Sequence, residues 1–150
     1  MAQSLSKVLL HIIFSTKNRE KLIPESLELE LHTYIASICR AHGSEAYRVG
    51  GTSNHIHIAC LLPRNLLISK LLEEIKKSSS LWIKKKDNEL KNFSWQAGYG
   101  VFSVSQSHLS MLIKYIENQH KHHEKKSFKD EYLELLEKYN VEYDDQYLWK

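Results

Sequence analysis

The order of the elements along this 150-residue chain predicts an α+β fold of the ferredoxin-like, split βαβ type. Three observations lead to this prediction. Strand-like and helix-like apolar periods follow one another in the order βαββαβ, turn residues join the second strand to the third, and two further helices follow the fourth strand. We therefore expect an antiparallel sheet with two helices on one face, followed by a C-terminal pair of helices.

The first four elements are defined by local signals. Residues 7–14 (KVLLHIIF) are predicted to form the first strand because they are mostly apolar. The first helix begins at Pro24, where a missing N–H does no harm, and ends at Gly43. Residues 46–50 (AYRVG) and 55–62 (HIHIACLL) are predicted strands of one hairpin, because the turn sequence GTSN separates them.

The remaining elements complete the pattern. Residues 66–85 have apolar residues at helical spacing and a lysine-rich end, so they predict an amphipathic helix. Residues 98–105 (GYGVFSVS) predict the fourth strand. A serine cap then opens a helix over 107–121, and a last helix is expected over 127–139.

Composition excludes several classes of protein. The length suits one domain over residues 1–150, with 124–150 as a C-terminal helical tail. No apolar run approaches the roughly 20 residues that span a bilayer, so no membrane segment is expected. Cys39 and Cys60 are single and far apart, which favours reduced thiols and a cytoplasmic location. No phosphate-binding glycine motif is present, and no nucleotide cofactor is expected.

The stretch NHIHIACLLP carries two histidines inside a predicted strand. Alternation places His55 and His57 on one face, with Ile56 and Ile58 on the opposite, core-facing side. Cβ atoms two residues apart on a strand are roughly 7 Å apart, which lets both rings converge on one cation. The alternative to a metal site is that both histidines are simply exposed on the solvated face of the strand. A divalent cation would need at least one further protein ligand.

The helix containing MLIKYIENQHKHH offers a candidate for the further ligand that the metal site needs. Tyr115 and Gln119 are four residues apart, so they lie one above the other on a flank of the apolar stripe. A tyrosine at the edge of a stripe often only packs, and this alternative stays open from the pattern alone.

Four segments in this order resemble the single-tyrosine HUH transposases of the insertion sequence 200/605 group. They are HIIFSTKNRE, NHIHIACLLP, FSWQAGYGVFSVSQS and YIENQ, and the resemblance covers nearly all of residues 5–125. It implies that His55 and His57 are metal ligands, that Tyr115 is the nucleophile and that Gln119 completes the metal site. The closing stretch also resembles the tail of one bacterial subgroup.

One position departs from the family pattern. Many members carry aspartate before the first histidine of the pair, whereas this chain has Asn54. The departure weakens any claim of a carboxylate beside the metal and leaves the histidine pair intact.

The resemblance also implies an activity and partners. The expected substrate is single-stranded DNA folded into hairpins at the ends of a mobile element, cut through a 5′-phosphotyrosine with Mg²⁺ or Mn²⁺. A homodimer acting at the bacterial nucleoid is expected, with each site completed either within one subunit or by the tyrosine helix of the partner. Lysines near the end of the second helix are candidate contacts to the DNA backbone, with a solvated helix end as the alternative: Lys76, Lys77, Lys84, Lys85 and Lys86.

Two other readings remain. One is a domesticated relative that cleaves or binds a chromosomal repeat. The other is a noncatalytic RNA- or single-stranded-DNA-binding module, since AGYGVFSV echoes an RNA-recognition strand, although Ala97, Val101 and Val104 replace its basic and aromatic residues. The other histidines are read as surface or structural residues: His11, His32, His42, His108, His120, His122 and His123.

Overall fold

The structure is a computed structural model that describes residues 2–150, and its centre is a four-stranded antiparallel sheet. The strand order is β2-β3-β1-β4, as the ferredoxin-like prediction requires. The strands are β1 (Leu9–Ser15), β2 (Ala46–Thr52), β3 (His55–Leu61) and β4 (Gly100–Val104). The predicted fold class is therefore confirmed.

Two long helices cover one face of the sheet. They are α1 (Glu25–Ala41) and α2 (Ile68–Lys86). Alternate residues of the two central strands point toward these helices because successive strand side chains face opposite ways. The main core lies between the sheet and these helices and includes Ile12, Phe14, Ile56, Ile58, Leu31, Ile35, Leu71 and Ile75.

The opposite face of the sheet carries the histidines and is covered by shorter helices. These are α3 (Leu109–Glu117), α4 (Gln119–His122) and α5 (Phe128–Lys138), and a last short helix is α6 (Asp145–Leu148). The sequence predicted one helix over 107–121, whereas the structure breaks it at Asn118, whose backbone angles are φ −98° and ψ 20°. The break leaves Gln119 as the first residue of a new helix.

Two glycines let the helices approach the histidine face closely. A Cβ atom at Gly50 of β2 would lie 2.7 Å from the side chain of Ile116 on α3. A Cβ atom at Gly100 of β4 would lie 2.7 Å from the ring of Tyr132 on α5. Both distances are shorter than van der Waals contact, so these glycines set how close α3 and α5 come to the sheet.

The C-terminal tail is packed on the same face. A second, smaller apolar cluster joins α5 to the sheet and contains Phe128, Tyr132, Leu136, Ile13 and Phe102. At the end of the chain, the Gly98 amide donates a hydrogen bond to the Lys150 carbonyl at 2.9 Å. The guanidinium carbon of Arg19 lies 4.3 Å from the ring centroid of Trp149. The tail therefore belongs to the folded unit.

Two of the compositional expectations concern membranes and thiols. Across residues 2–150, none of the helices has the length and apolar character needed to cross a bilayer. Cys39 and Cys60 are both buried and carry free thiols.

Candidate active site and metal centre

The two strand histidines and the two helix residues selected from the sequence lie together within one chain. His55 and His57 are completely buried on β3, and their ring centroids are 5.1 Å apart. Gln119 reaches them from the start of α4, with its Oε1 atom 2.8 Å from His55 Nε2. The ring centroid of Tyr115 on α3 lies 5.7 Å from that of His57. A single protomer therefore brings together all four residues.

Glu131 occupies the middle of this cluster, and it was not among the site residues predicted from the sequence. It comes from α5 and is only 2 % exposed. Its Oε1 atom lies 3.0 Å from His57 Nε2. Its Oε2 atom accepts hydrogen bonds from the Tyr115 hydroxyl and from Gln119 Nε2, the latter at 3.2 Å. One carboxylate thus connects the histidine pair to the tyrosine.

The sequence contained a signal for Glu131. Phe128, Tyr132 and Leu136 form the buried stripe of α5, and Glu131 falls three residues after Phe128, on the same side of the helix. An acidic residue within an apolar stripe indicates a buried polar contact. The generally acidic composition of the tail concealed this residue among exposed neighbours.

His123 is the second residue that joins the cluster unexpectedly. Its Nε2 atom lies 2.9 Å from Gln119 Oε1 and 3.1 Å from Glu131 Oε1. His55, His57, His123 and Glu131 each offer one ligand atom, and these four atoms all lie within 4.8 Å of one another. The four side chains could therefore hold one metal ion.

The outer nitrogens of the two strand histidines also have partners. His55 Nδ1 lies 2.8 Å from Asn54 Oδ1, and the Asn54 amide is oriented by donating to the Arg19 carbonyl at 3.2 Å. His57 Nδ1 lies 2.7 Å from Nε2 of His11, which is buried. Such contacts fix the tautomer and orientation of a ligating imidazole. Asn54 thus presents an amide oxygen to His55 Nδ1.

The protonation of His55 tests whether the cluster suits a cation. Burial, helped by neighbouring His57, holds the pKa of His55 well below its usual value, so the ring is neutral and has one N–H. Yet Nδ1 faces Asn54 Oδ1 at 2.8 Å, closer than the Thr52 hydroxyl at 3.1 Å, and Nε2 faces Gln119 Oε1. The side-chain amide of Gln119 cannot be flipped to exchange its oxygen and nitrogen, because its Nε2 atom donates to Glu131. A cation bound by both His55 Nε2 and Gln119 Oε1 would remove this conflict, and the donor set therefore fits a divalent metal.

The electrostatics around Tyr115 follow from the same carboxylate. Burial favours the protonated form of Glu131, but hydrogen bonding to His123 and His57 outweighs it and lowers the pKa of Glu131 well below its usual value. Burial and the adjacent carboxylate charge raise the pKa of Tyr115 above its usual range. The tyrosine is therefore held as a neutral hydrogen-bond donor unless positive charge is added nearby.

The candidate DNA-contacting lysines do not lie with this cluster. All five are on α2, which packs on the face of the sheet opposite the histidines: Lys76, Lys77, Lys84, Lys85 and Lys86. Lys76 donates to the backbone carbonyls of Gln96, Ala97 and Gly98, and burial lowers the pKa of Lys76 to about 8. Lys76 therefore has a structural role in holding the segment that leads into β4.

A cleft of about 570 Å³ opens beside the tyrosine, between β4, α3 and α5. Tyr115 and Glu131 face it, and its walls include Val104, Leu112 and Leu135. Ligand pockets commonly have volumes of about 300–1,000 Å³, so this cleft could take a small group such as one nucleotide.

Comparison with known proteins gives one family and several related structures. Residues 4–119 match the family model described as "Transposase IS200 like". No curated protein sequence matches the chain. The matched region ends at Gln119, so His123 and Glu131 lie beyond it.

Two solved structures are similar to this fold. A "putative transposase" from Deinococcus radiodurans R1 is 20 % identical, with a TM-score of 0.61, covering 79 % of this chain and 98 % of that one. A REP-associated tyrosine transposase bound to a REP hairpin is 19 % identical, with a TM-score of 0.58, covering 82 % of this chain and 73 % of that one. At these identities the similarity shows the fold.

Proposed function

As this chain belongs to the IS200-like transposase family, we propose that it cleaves and rejoins single-stranded DNA through a covalent bond to Tyr115. The proposed metal ligands are His55, His57 and Gln119. The proposed substrate is a strand folded into a hairpin near the end of an element. The related transposase that was solved with a REP hairpin supports this choice of substrate.

The observation that carries the proposal is the position of the Tyr115 hydroxyl. It points into the buried histidine cluster and donates to Glu131, instead of packing among apolar side chains at the edge of α3. The His57 and Tyr115 rings meet edge to face at 5.7 Å. A phosphate oriented by the histidine site would therefore lie beside this hydroxyl.

The residues of the chain divide the chemistry between them. The tyrosine oxygen forms a bond to phosphorus while the bond from phosphorus to the 3′ oxygen breaks, which leaves a 5′-phosphotyrosine and a 3′-hydroxyl. Glu131 Oε2 already accepts the hydrogen bond of the Tyr115 hydroxyl, so it orients the attacking oxygen and relays the phenolic proton, which ends on the departing 3′ oxygen as its hydroxyl. A bound Mg²⁺ or Mn²⁺ would neutralise the charge that develops on the phosphate oxygens. The reversible ester lets a second DNA end complete strand transfer.

The cleft beside Tyr115 supports a single-stranded substrate. Its volume of about 570 Å³ suits one nucleotide next to the scissile phosphate. A duplex buries its bases in the stack, so entry of one base into a cleft favours an unpaired strand. Of the five candidate lysines, Lys77, Lys85 and Lys86 are exposed. Lys77 and Lys85 are the better candidates for contact with a hairpin stem, since Lys76 is engaged by backbone carbonyls and Lys86 pairs with Glu30 at 3.3 Å.

A domesticated relative that processes a chromosomal repeat would use the same site. The structural relative bound to a REP hairpin agrees with this second candidate as well, because both roles require binding of a DNA hairpin. Palindromic DNA ends flanking the gene would favour the mobile-element role, and dispersed copies of the hairpin would favour the domesticated one.

Incubation with single-stranded flanking DNA and Mn²⁺ tests the proposed function directly. We expect a covalent protein–DNA band that resists denaturation and requires the metal. Binding of the hairpin without any covalent band, over a range of metal concentrations, would instead favour a noncatalytic nucleic-acid-binding module.

We expect the Gln119→Ala variant to cleave more slowly and to recover part of its activity at high Mn²⁺ concentration. The change removes the Oε1 atom near His55 and leaves the strand histidines in place. The loss of Mn²⁺ affinity should be about 10- to 100-fold. Titration of cleavage rate against Mn²⁺ measures it, with Gln146→Ala, at an exposed position on α6, as the control. Equal titration curves for the two variants would remove Gln119 from the metal site.

Mixing His55→Ala protein with Tyr115→Phe protein should restore no adduct. One chain supplies the histidines, the glutamine and the tyrosine of a site, so each mixed dimer would contain two defective sites. We propose a homodimer of two complete sites for joining two DNA ends. Restored adduct formation in the mixture would show that the tyrosine helix acts in the partner's site instead.

A further inference from the structure

The tail helix α5 brings one buried carboxylate to the histidine cluster, and we propose that Glu131 is itself a ligand of the divalent cation, which thereby fastens α5 to the sheet. The inference rests on the proposed function only in taking His55 and His57 as the metal site. It adds a metal ligand from α5, which lies after residue 119, where the family match ends. It also adds a structural consequence, the metal-dependent docking of α5.

The distances around Glu131 suit direct coordination. An octahedral cation with bonds of about 2.1 Å places neighbouring ligand atoms about 3 Å apart. Glu131 Oε1 lies 3.0 Å from His57 Nε2, 3.1 Å from His123 Nε2 and 3.8 Å from His55 Nε2. Gln119 Oε1 lies 2.8 Å from His55 Nε2. Three of these four spacings match adjacent corners around one ion, and the 3.8 Å between Glu131 Oε1 and His55 Nε2 is wider.

The charge on Glu131 points to the same conclusion. Within residues 2–150, the ion-pair contacts of Glu131 are all to histidines, which carry a positive charge only when protonated: His55, His57, His122 and His123. A buried carboxylate is costly unless it is paired with positive charge or coordinates a metal. By contrast, Glu134 on the same helix is exposed and pairs with Lys126 at 2.5 Å. Glu131 is therefore distinguished from its neighbours by a position that suits a cation.

Coordination by Glu131 would couple metal binding to the docking of the tail. Apart from this carboxylate, α5 is held mainly by the small apolar cluster that includes Phe128, Tyr132 and Leu136. A cation that binds the complete ligand set more tightly than the undocked state stabilises the docked helix by mass action. The other carboxylate oxygen, Oε2, remains with the Tyr115 hydroxyl, so the docked helix also positions the proposed nucleophile.

Calorimetry with Mn²⁺ and amide hydrogen exchange of residues 128–138 test this inference without any DNA. In the wild-type chain, Mn²⁺ should slow exchange in α5. In Glu131→Gln, we expect Mn²⁺ affinity to fall at least about 10-fold and the slowing in α5 to disappear at the same Mn²⁺ concentration. The matched control is Asp130→Asn, which removes the same charge from an exposed neighbour and should behave as wild type.

Glu131→Asp guards against a folding defect, because it keeps the carboxylate on a shorter arm. It should retain more of the metal-dependent slowing than Glu131→Gln. If Glu131→Gln binds Mn²⁺ and slows exchange as wild type does, the inference is overturned and the His55–His57 metal site stands. If wild-type protein binds no Mn²⁺, both the metal site and this inference fail. Loss of affinity in Glu131→Gln supports the inference even if no DNA cleavage is ever detected.

Discussion

The Tyr115→Phe variant is expected to form no covalent adduct with DNA while it keeps its fold and its hairpin binding. The change removes one oxygen and preserves the ring that packs edge to face on His57. Because no other group at that position can bond to phosphorus, the loss of adduct should be complete rather than partial. Denaturing gel electrophoresis after incubation with Mn²⁺ and labelled single-stranded DNA measures this loss.

The stability of Tyr115→Phe separates a chemical role from a structural one. The hydroxyl donates to Glu131, so its removal deletes one hydrogen bond and should cost about 1–2 kcal/mol of unfolding free energy. Gln119 Nε2 still donates to the same carboxylate at 3.2 Å. A folded variant with normal hairpin binding and no adduct would therefore identify a nucleophile.

Two other tyrosines provide the controls. Tyr99 lies before β4 with its ring 5.5 Å from Lys76 Nζ, and Tyr132 packs in the small cluster under α5. Neither donates to Glu131 in the structure, so Tyr99→Phe and Tyr132→Phe should both retain the adduct. Mass spectrometry should place the DNA on the peptide containing YIENQ. An adduct on a different tyrosine would overturn the assignment.

The patterns of short sequence segments were sufficient to predict the two strand histidines of the candidate site. Strand alternation places His55 and His57 on the face opposite Ile56 and Ile58, and the burial of both isoleucines in the main core agrees with it. The element order likewise predicted the sheet, because alternation and helical spacing are properties of short segments. The family resemblance then selected Tyr115 from eight tyrosines, which the pattern alone could not do.

The rest of the cluster depends on tertiary packing. Glu131 and His123 reach the histidines only because the tail docks across the sheet, and no short-range period in the sequence encodes that docking. The apolar stripe of α5 indicates that the helix packs on something, but not on which face. His11 was predicted to be a surface or structural residue, but its contact with His57 could not be predicted, because it links positions 46 residues apart in sequence.

The break at Asn118 is another feature that the pattern did not reveal. Continuous helical spacing through 107–121 predicted one helix, yet α3 ends at Glu117 and α4 begins at Gln119. Gln119 nevertheless keeps its place beside Tyr115, and its Nε2 atom lies 3.4 Å from the Tyr115 carbonyl oxygen. Tyr115 and Gln119 are therefore neighbours as predicted, although they lie on two short helices and not on one continuous helix.

Replacing His55 and His57 together with alanine is expected to abolish metal-dependent cleavage and to weaken Mn²⁺ binding by more than about 100-fold. The two residues supply the imidazoles nearest to Gln119 and Glu131, at 2.8 Å and 3.0 Å. Without them, the remaining donors are Gln119 on α4, His123 directly after α4 and Glu131 on α5. Calorimetric titration with Mn²⁺ and the covalent-band assay measure the two losses separately.

The fold should survive this double change, although with lower stability. Ile56 and Ile58 are untouched and keep β3 in the main core, but both histidines are 0 % exposed, so alanine leaves cavities that together cost about 2–5 kcal/mol. The pair His55→Asn and His57→Gln fills more of that space and provides a second test with less damage to packing. Thermal unfolding with and without Mn²⁺ should show a metal-dependent rise in Tm for wild type and none for either double variant. Undiminished Mn²⁺-dependent cleavage by a folded double variant would rule out the metal centre and, with it, the proposed path to the phosphotyrosine.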